Sequence, residues 1–253
     1  QAQADTVAID TLIADNVPAE TLIALAQKFQ AEPLSLMQAY QTMFAKIPVV
    51  LMTNEQAITL VSSERHRGAL VIYRIVEIVF ATTVLIITSP FVLIAILAIL
   101  IEDGGPVFYH QTRVGKHNKE FMVHKLRSMV KNAEQGTALW AKEGDHRITR
   151  VGKLLRKLHI DEVPQMWNII VGDIALIGPR PERPELVATL EQEIPYYFLR
   201  HSIKPGFTGW AQIKFRYART VLDSKEKFEY DLYYLANKSP LLDIGIVLKT
   251  AQI

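Results

Sequence analysis

Asp161 and Glu162 stand side by side in the stretch HIDEVPQ, and further along the chain Arg180 is braced between Pro179 and Pro181. Neighbouring carboxylates and a rigidly presented guanidinium suit one kind of ligand, a phosphate ester that carries a metal ion. The carboxylates share the cation, and the guanidinium meets phosphate oxygens through paired N–H donors. Both prolines have fixed φ, so Arg180 has little freedom left to lose on binding. A charge-assisted bond of this kind contributes about 1.5 to 3 kcal/mol. Arg183 reads equally well as a helper or as a solvated surface charge.

Two adjacent acids in a helix interior point apart and cannot grip one ion. At a helix start they can. Pro164, with Gln165 three residues after Glu162, marks 161–165 as a helix N-terminus, where free amides and the dipole favour anions. The plain alternative is that Asp161 only caps that helix. Upstream, Lys153, Arg156 and Lys157 share a helical face, and His124, Lys125, Arg127 and Ser128 form a second polar, mostly cationic cluster. Each reads either as a solvated face or as a site for phosphate or anionic lipid headgroups.

Other chemistries drop out. There is no cysteine, which excludes disulfides, thiolate metal sites and a cysteine nucleophile. The seven histidines include neither HExxH nor an i,i+4 pair, and no Walker loop, GxGxxG or GxSxG occurs. A GxxG at Gly206 and Gly209 is too weak a signal for a nucleic-acid clamp, and no nucleic-acid partner is expected.

The elements that must position these residues begin with an apolar run, Ile78 to Ile101, which carries no charge and is long enough for a membrane segment. Ser89-Pro90 lies at its centre. Proline inside a helix frees a carbonyl, and the serine hydroxyl is one candidate to satisfy it. Unbroken, the helix is roughly 36 Å long and can cross. Broken in the middle, each limb of roughly 18 Å reaches only the bilayer midplane. Arg65, Arg67 and Arg74 precede the run and Arg113, Lys116 and Lys119 come after it, so both flanks carry the cytoplasmic signature. That pattern favours entry and return on one side, with a spanning helix as the alternative.

Residues 1–63 hold six acids and two basic residues, and all twelve glycines lie at or beyond Gly68. Composition therefore places a charged junction at 64–67. The N-terminal part reads as strand (Val7 to Ile13), helix (capped by Asn16) and strand (Ile47 to Met52). It is either the tail of a larger α/β domain or a spacer that packs on the C-terminal part of the chain. Beyond the membrane run, GGPVFYHQTRVG reads as turn, strand and loop, EFMVHKLRSM as a strand, VGKLLRKLH as a basic helix and 163–171 as another helix. Half of the 22 aromatics fall between Tyr196 and Tyr234, as rings at an interface or sugar platforms, or as ordinary packing.

In that order, Ser89-Pro90, GGPVFYHQTRVG, KLRSM, LLRKLHIDEVPQMWNIIVGDIALIGPRPERPE, KPGFTGWAQI and YDLYYLANKSPLLDIGIVLKT resemble the bacterial sugar transferases, or monotopic phosphoglycosyl transferases. The resemblance covers 68–253. Leu126 stands where that family often has an aromatic, and His159 where it usually has serine. The resemblance implies a helix-rich α+β fold: a kinked, re-entrant helix over 70–101 and a small mixed catalytic domain with interfacial amphipathic helices. It implies that Asp161 attacks the β-phosphorus of a UDP-sugar, releasing UMP and leaving a sugar-phosphoryl aspartate that polyprenyl phosphate then discharges. Asp161 and Glu162 would hold Mg²⁺, and Arg180, Arg156, Lys125 and Arg127 would bind phosphate, substrate or headgroup. The expected location is the bacterial cytoplasmic membrane, with the catalytic part on the cytoplasmic face as the first step of exopolysaccharide, capsule or O-antigen assembly. A homodimer is left open, and the alternative function is a membrane-anchored scaffold without turnover.

Overall fold

The computed structural model describes residues 7–9, 33–62, 67–133, 145–215, 220–250 and 252. Among them the protein is helix-rich, with three small two-stranded sheets, an α+β arrangement. Strand β1 (Val7–Ile9) pairs in parallel with β2 (Pro33–Ser35). Helix α1 (Leu36–Phe44) comes directly after, started by a capping box in which Ser35 and Gln38 satisfy each other's backbone amides. The helix expected after Asn16 lies outside the described residues.

The expected strand at Ile47 to Met52 is instead a buried 3₁₀ turn, Val49–Leu51, leading to helix α2 (Asn54–Ser62). Pro48 has no N–H to offer a ladder. The flanking donors are taken by Glu229: Ile47 N–H donates to its carbonyl at 2.9 Å and Val49 N–H to its carboxylate at 3.1 Å. The apolar residues that suggested a strand, Ile47, Val49 and Met52, pack with Leu190, Ile194, Tyr197, Leu199, Phe228 and Leu232 in one core. Continuous apolarity here reflects burial rather than pleating.

Helix α3 (Arg67–Asp103) runs through Pro90. Ser89 Oγ donates to the Ile86 carbonyl at 2.8 Å, the acceptor that proline leaves without its N–H partner, and Thr88 Oγ1 donates to Val84 at 2.6 Å. Most of its apolar side chains face outward, among them Ile86, Ile87, Phe91 and Leu97. Leu70–Asp103 is the one segment among the described residues long and apolar enough to cross a membrane.

Both limbs of α3 nevertheless touch the same body. Ala81, with Val84 and Leu85, packs on Met166, Ile169 and Ile174, while Ala95 and Ile99 pack on Leu126 and Leu155. Near the N-terminal end Arg74 donates to the Ile169 and Ile170 carbonyls at 2.6 and 2.5 Å, and Glu77 accepts from Leu176 N–H at 3.1 Å. At the other end Glu102 accepts from Arg150 N–H at 2.8 Å, and Asp103 pairs with Arg127.

After the Gly104-Gly105 turn, where both residues have positive φ, β3 (Phe108–Val114) and β4 (Glu120–Leu126) form an antiparallel hairpin with Phe108 opposite Leu126 and Val114 opposite Glu120. Helix α4 (Arg150–Lys157) is capped by Thr149. Helix α5 (Gln165–Val171) is fixed to β4 by the fully buried Asn168, which accepts from His124 N–H at 3.2 Å and donates to the Met122 carbonyl at 2.7 Å. Strand β5 (Ala175–Ile177) runs parallel to β6 (Gly206–Thr208), with α6 (Pro184–Glu193) between them in sequence. Helices α7 (Trp210–Lys214), α8 (Val221–Asn237) and α9 (Pro240–Thr250) complete the domain.

Candidate active site

Asp161 and Glu162 share one 3₁₀ turn, Ile160–Glu162, entered through His159 in the left-handed region at φ 55°. The turn leads into α5, so the two acids do precede a helix start. Asp161 is not its cap, however. The cap position is Pro164, and no side chain bonds the first amides. The capping reading of Asp161 is thereby removed, and its carboxylate has no hydrogen-bond partner among the described residues although it is only 7% exposed. Burial, and next the charge of Glu162, push its pKa above the ordinary aspartate value; Lys125, Arg156 and His159 pull the other way.

Glu162 is held differently. Lys125, from β4, donates to its Oε1 at 2.6 Å, and Arg180, from the loop after β5, donates to the same oxygen at 2.9 Å. Burial alone would raise its pKa, but Arg180 and then Lys125 outweigh that and hold the carboxyl well below the usual range. The neighbouring acids are thus split: one is ionised and clamped, the other buried and free. Divergent environments of this kind mark acids with separate chemical tasks.

The Pro179-Arg180-Pro181 loop owes its position to more than its prolines. Gly178 N–H donates to the Thr208 carbonyl at 2.9 Å and Gly206 N–H to the Pro179 carbonyl at 2.8 Å. A Cβ on Gly206 would lie 2.0 Å from the Gly178 nitrogen, so only glycine permits this approach. Arg200 Nη2 donates to the Arg180 carbonyl at 2.9 Å and Arg113 Nη1 to the Pro181 carbonyl at 3.0 Å. Behind them lies a buried charge network. Arg200 is 3.1 Å from Asp231, in contact although its N–H is not aimed at that oxygen. Lys227 donates to Glu182 at 2.8 Å, and Arg113 stands 3.9 Å from the same carboxylate. Burial pushes Asp231 up to about 6 despite Arg200, whereas Lys227 and Arg200 overcome burial to take Glu182 down to about 2.

Lys125, Glu162 and Arg180 thus converge, with Asp161 beside them. Arg156 lies close enough to Asp161 to lower its pKa, and its Nε donates to Ser128 Oγ at 2.8 Å. Arg127 turns to Asp103 at the end of α3. Ser89 and Pro90 sit mid-helix in α3. Arg113, Arg200, Glu182, Lys227 and Asp231 have no role that residue patterns alone assign, because nothing in their spacing joins α8 to the loop after β5. A shallow cleft opens among Arg113, Lys125, Gln165, Arg180 and Pro181.

A surplus of cations around one free carboxylate suits an anionic substrate. The model of the bacterial sugar transferase family matches residues 68–253. The chain belongs to that family. A UDP-N-acetylgalactosamine-undecaprenyl-phosphate N-acetylgalactosaminephosphotransferase of Aeromonas hydrophila is 46% identical over 181 residues, 72% of this chain and 43% of that protein. A UDP-glucose:undecaprenyl-phosphate glucose-1-phosphate transferase of Escherichia coli is 39% identical over 176 residues, 69% of this chain and 38% of its own length. An uncharacterized sugar transferase of Bacillus subtilis is 36% identical over 187 residues, 72% of this chain and 87% of that protein. The chain therefore aligns with about two-fifths of the first two of these relatives.

Asp161 and Glu162 fit a magnesium ion in one respect: Asp161 offers a buried carboxylate with no protein donor among the described residues, a ready ligand for a hard cation. Among the described residues no group of three or more histidines and acids could hold a metal. Such a set is not required, since Mg²⁺ commonly uses one or two carboxylates together with substrate phosphates and water.

Proposed function

We propose that this chain carries the catalytic part of an enzyme that moves a sugar phosphate from a UDP-sugar to polyprenyl phosphate at the bacterial cytoplasmic membrane, the first membrane step of polysaccharide or glycoconjugate assembly. The observation that carries the reading is the pairing of a free, buried Asp161 with a clamped Glu162 beneath Arg180. The Aeromonas and Escherichia relatives act on UDP-sugars and undecaprenyl phosphate, which supports the same donor and acceptor classes here.

In this mechanism an Asp161 oxygen attacks the β-phosphorus. An O–P bond to Asp161 forms, the bridging P–O bond breaks, and the electron pair leaves with UMP. An oxygen of polyprenyl phosphate then attacks the same phosphorus and returns Asp161 as carboxylate. A covalent stage lets a soluble donor and a lipid acceptor use one site in turn. Lys125, Arg180 and Arg156 offset phosphate charge so that an anionic nucleophile can approach. Mg²⁺ held by Asp161 and Glu162 would supply further charge neutralisation at the diphosphate. Arg180 and Lys125 hold Glu162 ionised in this site.

The acceptor in this reading is a lipid, and the apolar helix α3 supports a site at the bilayer surface. We read this helix as re-entrant, bent at Ser89-Pro90. A helix standing straight through the bilayer would draw the attached domain into the hydrocarbon, because Arg74 and Glu102, near opposite ends, are both bonded to that domain. Exposed Leu154 on α4, Leu158 just after it, and Trp167 and Val171 on α5 give the domain apolar contacts for the interface, flanked by Lys153 and Lys157.

The test is UMP release from UDP-sugars with polyprenyl phosphate. Asp161→Asn should abolish it, and donor alone should leave a sugar-phosphate adduct on Asp161 detectable by intact mass. Unchanged turnover in Asp161→Asn would refute the assignment. For topology, single cysteines at Ala57 and Lys225 should label from the same side in sealed vesicles; labelling from opposite sides would rule out the hairpin.

A further inference from the structure

Gln165 opens helix α5, and its side chain lines the cleft beside Arg113, Lys125 and Arg180. The residue is 5% exposed, yet its Nε2 has no hydrogen-bond partner among the described residues. Buried side-chain amides are normally satisfied, and one that is not points to a missing partner. The fold does not use this group: Pro164 occupies the cap position, and no side chain caps the helix. Its location in the cationic cleft identifies what it lacks.

We propose that Gln165 Nε2 donates to a non-bridging oxygen of the β-phosphate of the donor, the group transferred in the reaction. This inference rests on the transferase reading of the site. The missing partner must be an acceptor, because an amide nitrogen only donates. The surrounding charge selects an anion: Lys125 and Arg180 share one carboxylate oxygen of Glu162, and Arg113 stands 3.9 Å from Glu182. A neutral donor also suits a position four residues along the chain from Asp161. Another cation there would pair with the nucleophile and lower its reactivity, whereas an amide orients the phosphate without that competition.

UDP carries the β-phosphate and UMP does not, so the two nucleotides separate this contact from uridine binding. With the full chain in detergent and Mg²⁺ present, Gln165→Leu should weaken UDP binding about tenfold and leave UMP binding within twofold. Gln165→Glu should weaken UDP further, since a carboxylate offers no donor and repels phosphate. The thermal midpoint of Gln165→Leu should equal or exceed that of the unsubstituted chain, because an unsatisfied buried donor has been removed. Equal UDP affinity in Gln165→Leu would overturn the proposal. So would a parallel loss of UDP and UMP binding with a lowered midpoint, which is the signature of a packing role. Polyprenyl phosphate binding that weakens while UDP binding holds would also overturn it, by moving the contact to the acceptor. An unsubstituted chain that binds UDP but turns over no UDP-sugar counts against the transferase reading alone.

Discussion

Replacing Arg200 with methionine tests whether the loop bearing Arg180 is held from behind. Arg200 is 3% exposed and Asp231 2%, so neither can turn to water when the other is lost. Keeping an aspartate protonated at pH 7 against an ordinary value of 3.8 costs at most about 4 kcal/mol. With Asp231 at about 6 in the intact protein, about 3 kcal/mol of that cost is already present. Loss of Arg200 therefore adds only about 1 kcal/mol through Asp231. Leaving the Arg180 carbonyl without its donor adds about 1 to 3 kcal/mol. Urea unfolding at pH 7, followed by tryptophan fluorescence, should show a loss of about 2 to 4 kcal/mol. At pH 5, where Asp231 is largely protonated in either protein, the loss should shrink by about 1 kcal/mol. The double variant Arg200→Met with Asp231→Asn should recover the Asp231 share of stability but not kcat/KM, because the Arg180 carbonyl stays unheld. A penalty below about 1 kcal/mol at pH 7, or one that grows on acidification, would refute the reasoning.

Further outcomes concern the acids and one histidine. In the metal-free protein the Asp161 carboxyl should titrate, by carboxyl NMR, with a midpoint above the ordinary aspartate value of 3.8, because burial and then Glu162 raise it. Arg156→Met should move that midpoint higher, since Arg156 lowers it; a midpoint that falls or stays fixed contradicts the placement of Arg156. Burial takes His201 down from 6.5 to about 4, so the folded state binds its proton less readily than the unfolded chain. The stability it confers is complete above about 6.5 and is lost as pH falls toward 4, by about 3 kcal/mol. In His201→Gln, urea midpoints at pH 7 and 4.5 should differ by correspondingly less, and an unchanged acid loss would show that other groups cause it.

Elements whose signal is local are legible in the sequence. The two strands within 108–126, the basic helix at 150–157 and the helix after Pro164 can be read from alternation, helical spacing and proline placement, and the structure has all of them. The serine hydroxyl expected to satisfy a freed carbonyl does so at Ile86. Ile47 to Met52 is not legible in this way, because a short apolar run looks the same whether it is pleated or merely buried, and only Glu229, far along the chain, decides which.

The arginines show why the site itself is only partly legible. A guanidinium offers the same donors to a phosphate, a carboxylate or a backbone carbonyl, and nothing in its immediate neighbours says which it will meet. Here Arg74 satisfies the last carbonyls of α5, Arg127 secures the end of α3, and Arg113 and Arg200 hold the carbonyls of Pro181 and Arg180. Those four commit donors to the scaffold. Arg180 is the one whose backbone is fixed on both sides while its side chain keeps 39% exposure. Rigid backbone with an open guanidinium is what phosphate recognition needs, and it exists because buried arginines behind the loop take up the carbonyls that would otherwise let it move.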